Sequence, residues 1–251
     1  MIIQTDEELE CVIFGGDVLS RMLGVLKNEI RPGVSLIYLD KVAESFILDN
    51  GCIPACKGYC GYPSTLCLSV NNVVVHGIPS KYELEDGDVV SVDRGVVYNG
   101  YYSDGAYTFS VGCVDDSIKR MLQVTRESLR LALSKAVTGN RTGDIGNVIE
   151  SYVTGSGFSV VKEYAGHGVG KSFHEKPIVY NYGKKNSGSL LKKNMMIAIE
   201  PIVNYGNGKT KCLSDGWTVV SADGSFSAHY ENTVLVQNNC PKLLSSFKYC
   251  E

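Results

Sequence analysis

The sequence predicts an α+β fold made of two similar halves, each opening with two helices and closing with strands. Three observations predict it. Patterns of helical period are confined to residues before about 50 and between about 117 and 154, and strand-like runs fill the rest. VAESFILDNG (42 to 51) aligns with VIESYVTGSG (148 to 157) at a shift of 106, and DVVSVDRGVV (88 to 97) aligns with MMIAIEPIVN (195 to 204) at a shift of 107, which lays Asp93 over Glu200. Asn99-Gly100, between two strand-like runs, is a strong hairpin signal because both central positions of a type I′ turn need positive φ.

The halves, roughly 1–113 and 114–251, are expected to be related by a pseudo-twofold axis. Their strands should join into one curved, mainly antiparallel sheet with the helices on its outer face. No Pro-, Gly- or Ser-rich linker separates them, so a single domain over 1–251 is expected.

Thr5-x-x-Glu8 is a capping box that opens the first helix. Its apolar residues are Leu9, Val12, Ile13, Leu19, Met22, Leu23 and Leu26, and Pro32-Gly33 stops it. A second helix runs from about 35 to 49 and ends at Asn50-Gly51; strands follow to about 113. The second half begins with a helix near 117–137, ended by Gly139-Asn140. A short helix near 143–154 precedes the remaining strands.

At 251 residues and 44% hydrophobic, the chain can bury a large core. A net charge of −3 with interspersed signs leaves no basic footprint for nucleic acid or an anionic membrane. MIIQTDEELE has neither the basic nor the apolar region of a secretion signal, and nowhere do 18 apolar residues run together, so a soluble cytoplasmic protein is expected. Nine cysteines without a secretion signal fit reduced thiols.

Asp93 and Asp104 both fall inside the predicted hairpin, although Asp is depleted in strands. If Asn99-Gly100 forms the loop, Tyr98 faces Tyr101, Asp93 faces Ala106 and Gly95 faces Asp104. The two acids are then diagonal neighbours on one face, roughly 7 Å apart at the backbone. A shared cation or a shared proton is expected between them. Across the pseudo-twofold axis Glu200 should face Asp93, and Glu231 adds an acid in the apolar strand HYENTVLV. Four acids in one cavity need cations to neutralise them, and two divalent metals balance the charge. His167, held between glycines in EYAGHGVGKS, is the candidate nitrogen ligand.

Two other motifs were weighed. Cys52, Cys56 and Cys60 recur every fourth residue, but the spacing is not that of a zinc site, and Pro54 and Gly58 break any helix that would align them. AGHGVGKS approaches a phosphate loop, yet Ala165 replaces its first glycine and Pro177 leaves little room for the helix such a loop needs.

The chain resembles the type I methionine aminopeptidases of the pita-bread fold. The resemblance rests on VVVHGIP around His76, SVDRG around Asp93, YYSDGAYTF around Asp104, AGHGVGKSFHEKP around His167 and His174, IEPIV around Glu200, DGWTV around Trp217 and SAHYENTVLV around Glu231. It implies removal of N-terminal methionine from peptides and nascent chains whose second residue is small. It also implies two divalent metal ions, Mn, Fe, Co or Zn, ligated by Asp93, Asp104, His167, Glu200 and Glu231. Asp104 and Glu231 would bridge them, and a hydroxide between the metals would attack the first peptide carbonyl with Glu200 as general base. His76 and His174 would donate hydrogen bonds to the oxyanion and the peptide. Cys56, Tyr59, Cys60, Tyr62, Cys67, Phe173 and Trp217 would line the methionine pocket.

Expected partners are a peptide N-terminus and, transiently, the ribosome, with the chain acting as a monomer. Departures from the family are Arg94-Gly95, Tyr102-Ser103, Gly105-Ala106, Cys60 and Asn232, none of which removes a ligand. The alternatives are an Xaa-Pro-type peptidase of the same fold and a catalytically inactive peptide-binding relative.

Overall fold

A computed structural model describes residues 1–250. The first half holds helices α1 (Asp6–Glu29) and α2 (Leu36–Asp49), then strands β1 (Ile53–Pro54), β2 (Leu66–Val70), β3 (Val73–Val75), β4 (Val89–Tyr98) and β5 (Tyr101–Ser110). The second opens with α3 (Asp116–Leu133) and α4 (Thr142–Gly155). Its strands are β6 (Ser159–Val160), β7 (Ala165–Gly168), β8 (Glu175–Tyr180), β9 (Met196–Ile199), β10 (Ile202–Asn204), β11 (Thr210–Cys212), β12 (Val219–Ser221), β13 (Ser227–His229), β14 (Asn232–Leu235) and β15 (Lys242–Leu243). This is the pita-bread arrangement, with two halves of matching element order.

Local chemistry explains the helix starts. The Thr5 hydroxyl accepts the Glu8 N–H at 3.1 Å, satisfying one orphan donor of α1, and Asp6, Glu7 and Glu8 sit at the positive end of its dipole. The Glu8 carboxylate reaches back to the Gln4 N–H at 2.8 Å, one residue before the cap. Val18, Leu19, Met22, Leu23 and Leu26 form the buried stripe that packs with Val90, Val92 and Val96 of β4, while Val12 joins Ile3, Val169, Met196, Leu235 and Leu244. Each such side chain contributes about 1.5–3 kcal/mol on burial.

Helix α3 stops at Leu133, short of the expected 137. Val137 instead bridges Gln237, and the Thr138 N–H donates to the Gln237 carbonyl at 2.9 Å, so a segment a hundred residues away takes over that stretch of backbone.

The β4–β5 hairpin has the expected register: Tyr98 pairs with Tyr101, Asp93 with Ala106 and Gly95 with Asp104. Asn99 (φ 47°) and Gly100 (φ 81°) form its turn. Hydrogen bonding divides the curved layer into four sheets, β1-β4-β2 with β5 on β4, β15-β14-β9-β7-β8, β13-β10-β6 and β11-β12-β3. The halves meet where β5 runs beside the entry to β14: the Glu231 N–H donates to the Ala106 carbonyl at 2.8 Å, and the Ala106 N–H to the Glu231 carbonyl at 3.3 Å. The counterpart of the ten-residue β4 is broken, since β9 ends at Ile199 and β10 starts at Ile202. Pro201 lies in the gap and has no N–H to continue the ladder.

Candidate functional site

Asp93 is carried by β4 and Asp104 by β5, and the two-residue turn puts both on one face of the hairpin. His167 enters from β7, Glu200 from the proline gap after β9, and Glu231 from the junction of β13 and β14. Asp104, His167 and Glu231 are all buried, and each offers a ligand atom within 4.8 Å of the others. His167 Nε2 lies 3.6 Å from Asp104 Oδ2 and 3.7 Å from Glu200 Oε1.

Its other nitrogen, Nδ1, is 2.9 Å from the Gly168 carbonyl. A carbonyl can only accept, so Nδ1 carries a proton, and whenever the ring is neutral its Nε2 lone pair faces the acids. That is how an imidazole is prepared to ligate a cation.

The electrostatics show what the cluster lacks. Burial, reinforced by Asp104 and then Glu200, pushes the Asp93 and Glu231 carboxyls well above the carboxylate range. Burial raises Glu200 to about 7, against the pull of His167. Burial opposes a charged His167, but Asp104 and Glu200 more than offset it and lift its pKa to about 9. Glu231 Oε1 is buried without a hydrogen-bond partner among the described residues. Four acids with an imidazole and an orphaned carboxylate oxygen call for positive charge, and an oxygen-rich set with one nitrogen suits hard or borderline divalent cations. The residues therefore fit the metals the sequence suggests.

Beside the acids lies a cavity of about 230 Å³. Its walls include every residue the sequence singled out: the five candidate ligands, His76 and His174, and Cys56, Tyr59, Cys60, Tyr62, Cys67, Phe173 and Trp217. It is smaller than the ~300–1,000 Å³ of a drug-sized site, and so suits one amino-acid side chain. A larger groove of about 770 Å³ lies against α3, shares no lining residue with that cavity, and is lined by Lys119, Arg120 and Arg126 among others.

Tyr62 stands edge-on to Trp217 with ring centroids 5.1 Å apart, and its hydroxyl is 2.8 Å from the Gly77 carbonyl. Asp215 Oδ1 accepts the N–H groups of Trp217 (2.9 Å) and Thr218 (2.8 Å), which fixes the turn that presents the indole. Phe173 stacks on Tyr102 at 5.5 Å. Gly95 makes that wall possible, because a Cβ there would come within 2.9 Å of the Phe173 ring and 2.8 Å of Ala55 Cβ. Cys56 and Cys67 are free, buried thiols within hydrogen-bond reach of each other.

His76 has φ 57°, a conformation non-glycine residues rarely adopt and one that marks functional positions. Its ring stands edge-on to Tyr164 at 5.5 Å and to Trp217 at 6.2 Å. Burial lowers its pKa. His174 is held neutral too: burial, then the neighbouring His167, bring its pKa down to about 4.

Sequence reasoning passed over His229. Its Nε2 lies 3.6 Å from Glu200 and 4.0 Å from Glu231, and burial lowers its pKa to about 3. The signal was His229-x-Glu231, a spacing that turns both side chains to one face of an extended segment.

The sequence profile of metallopeptidase family M24 matches residues 12–238. A Clostridium perfringens protein named methionine aminopeptidase is 46% identical over 248 residues, 99% of this chain and 100% of that protein. Methionine aminopeptidase 1 of Bacillus subtilis is 44% identical over 94% of this chain and 95% of its own. The crystal structure of methionine aminopeptidase from Thermotoga maritima superposes with a TM-score of 0.96 at 40% identity, covering 98% of this chain and 100% of that one. The prolidase from Pyrococcus furiosus shares the fold, with a TM-score of 0.78 at 23% identity, but this chain spans only 65% of its length.

Proposed function

The chain belongs to metallopeptidase family M24 and is a metal-dependent hydrolase of the methionine aminopeptidase kind, and from that premise we propose how its residues divide the work. Two divalent cations would be held by Asp93, Asp104, His167, Glu200 and Glu231. When bound, they supply Lewis acidity, which acidifies a water and polarises the first peptide carbonyl.

Glu200 takes up the proton of the attacking water and returns it to the leaving amine. His174 and His76, neutral and facing the cavity, donate hydrogen bonds to the developing oxyanion and to the peptide. Tyr62, Phe173, Trp217, Cys56 and Cys67 enclose the methionine side chain, with Tyr59 and Cys60 at the rim. The free α-amine rests against the acids, which selects chain ends over internal bonds.

One observation carries this reading: the acid cluster and a side-chain-sized apolar cavity share one wall. Peptides with a small second residue are the expected substrates, and nascent chains, met transiently at the ribosome, belong to that class. The protein is taken to act as a cytoplasmic monomer; no described helix is long and apolar enough to cross a membrane.

Hydrolysis of a Met-Ala-Ser peptide against an Ala-Pro peptide by the manganese-loaded protein tests the reading. Release of methionine, abolished in Glu200→Ala, is expected. Preference for the Ala-Pro bond would favour the prolidase-like alternative, and robust turnover by Glu200→Ala would remove Glu200 from the role of base.

A further inference from the structure

Arg94 follows Asp93 on β4 and is wholly buried, with a relative exposure of 0%. Strand alternation turns it to the opposite face, beneath α1. There Nη1 donates to the Gly105 carbonyl at 2.8 Å and Nε to the Leu19 carbonyl at 3.4 Å, both neutral acceptors. Nη2 is buried with no hydrogen-bond partner among the described residues.

The strand opposite is cut to fit. Gly105 pairs directly with Arg94, and a Cβ there would lie 3.5 Å from Nη2 and 3.2 Å from Ser245 Oγ. Two of the departures noted in the sequence, Arg94 and Gly105, are thus cross-strand partners, joined by the hydrogen bond from Nη1.

A guanidinium in such a place is costly unless an opposite charge offsets it. An arginine keeps its proton even when buried, so the group is charged at neutral pH. Asp93, its neighbour on β4, lines the acid cluster on the other face of the strand. Arg94 and the acids Asp104 and Glu231 are all buried, so the interaction is weakly screened.

Four carboxylates and two divalent cations sum to zero charge. Proton uptake by Glu200 moves one negative charge from that carboxylate to the oxygen of the scissile carbonyl and leaves the sum unchanged, while Arg94 adds one positive charge behind the cluster. We propose that Arg94 is a positioning charge for the acid cluster: fixed on the far face of β4, it weakens the hold on divalent cations and stabilises the anionic charge of the reaction. This rests on the reading of the cluster as a metal site.

The test is calorimetric titration of Mn(II) into the wild-type chain, Arg94→Gln and Arg94→Lys. Binding of a methionine phosphonate, an anionic mimic of the tetrahedral species, to the same manganese-loaded proteins completes it. Arg94→Gln should bind Mn(II) about tenfold more tightly and the phosphonate about tenfold more weakly, a size typical of groups just behind metal ligands. Arg94→Lys should stay within about threefold on both. Should Arg94→Gln show no cooperative melt, Arg94→Met takes its place.

A group that merely braces β4 against α1 would weaken both ligands when removed, and that result, or changes below about threefold, overturns the proposal. A wild-type chain that bound no Mn(II) would overturn the metal-site reading and this inference with it.

Discussion

The Tyr59 hydroxyl lies 2.8 Å from Nδ1 of His174, across 115 residues of sequence. A phenol donating to Nδ1 keeps the ring proton on Nε2, where a substrate oxyanion could receive it. The ring is neutral at pH 7, with its pKa brought down to about 4 chiefly by burial. Tyr59→Phe should therefore lower kcat about tenfold for a Met-Ala peptide while KM changes little. Unchanged kcat would show that the hydroxyl does not orient the ring.

The protein without cations should lose stability as pH rises from about 7 to 9. His167 titrates at about 9 when folded against an ordinary 6.5, with burial opposing and Asp104 and Glu200 raising it. The folded state thus holds more protons than the unfolded one in that window, and the slope of stability with pH is negative. Below 6.5 the sign mixes, because His174 and His229 are depressed to about 4 and about 3, chiefly by burial. Thermal melts of EDTA-treated protein should fall across pH 7 to 9, and saturating Mn(II) should remove the slope. A melting temperature that rises over that range would contradict the assignment.

Gly95→Ala should damage the pocket rather than the ligands. The new Cβ would meet Phe173 at 2.9 Å and Ala55 at 2.8 Å, and Phe173 can yield only into the cavity that it lines. Overpacking of this kind costs about 1–3 kcal/mol. Displacing Phe173 should raise KM for methionyl peptides, so a chemical melt and a KM determination together check the outcome.

Thr233 braces Asp104 from behind, accepting the Asp104 N–H at 3.1 Å and donating to its carbonyl at 2.9 Å. Ser245 also donates to that carbonyl at 2.9 Å, so Thr233→Val leaves the N–H as the buried orphan. The expected loss is about 1–3 kcal/mol of stability. Cation affinity should fall by about tenfold as Asp104 loosens. Titration calorimetry that found the affinity unchanged would show the brace to be structural only.

The hairpin and its acids could be read from the chain alone, because the information is local. Asn99-Gly100 sets the turn, the turn sets the register, and a period of two then places Asp93 and Asp104 on one face. The internal repeat carried the argument further, to Glu200, since a duplicated unit repeats its own geometry. The pocket residues came from motif resemblance, not from periodicity, which marks Tyr62 and Phe173 as ordinary core.

Other features depended on contacts between distant segments, which no local pattern encodes. Helix α3 ends early because Gln237 takes over the backbone near Val137 and Thr138. His229 joins Glu200 only when β13 and β10 pair. Arg94, in the sequence only a departure from the family pattern, is buried because β5 supplies the Gly105 carbonyl opposite and α1 the Leu19 carbonyl above. Short-range sterics and hydrogen bonds are fixed within a few residues, whereas burial and the shifts in charge that follow from it exist only after the sheets and helices have closed over them.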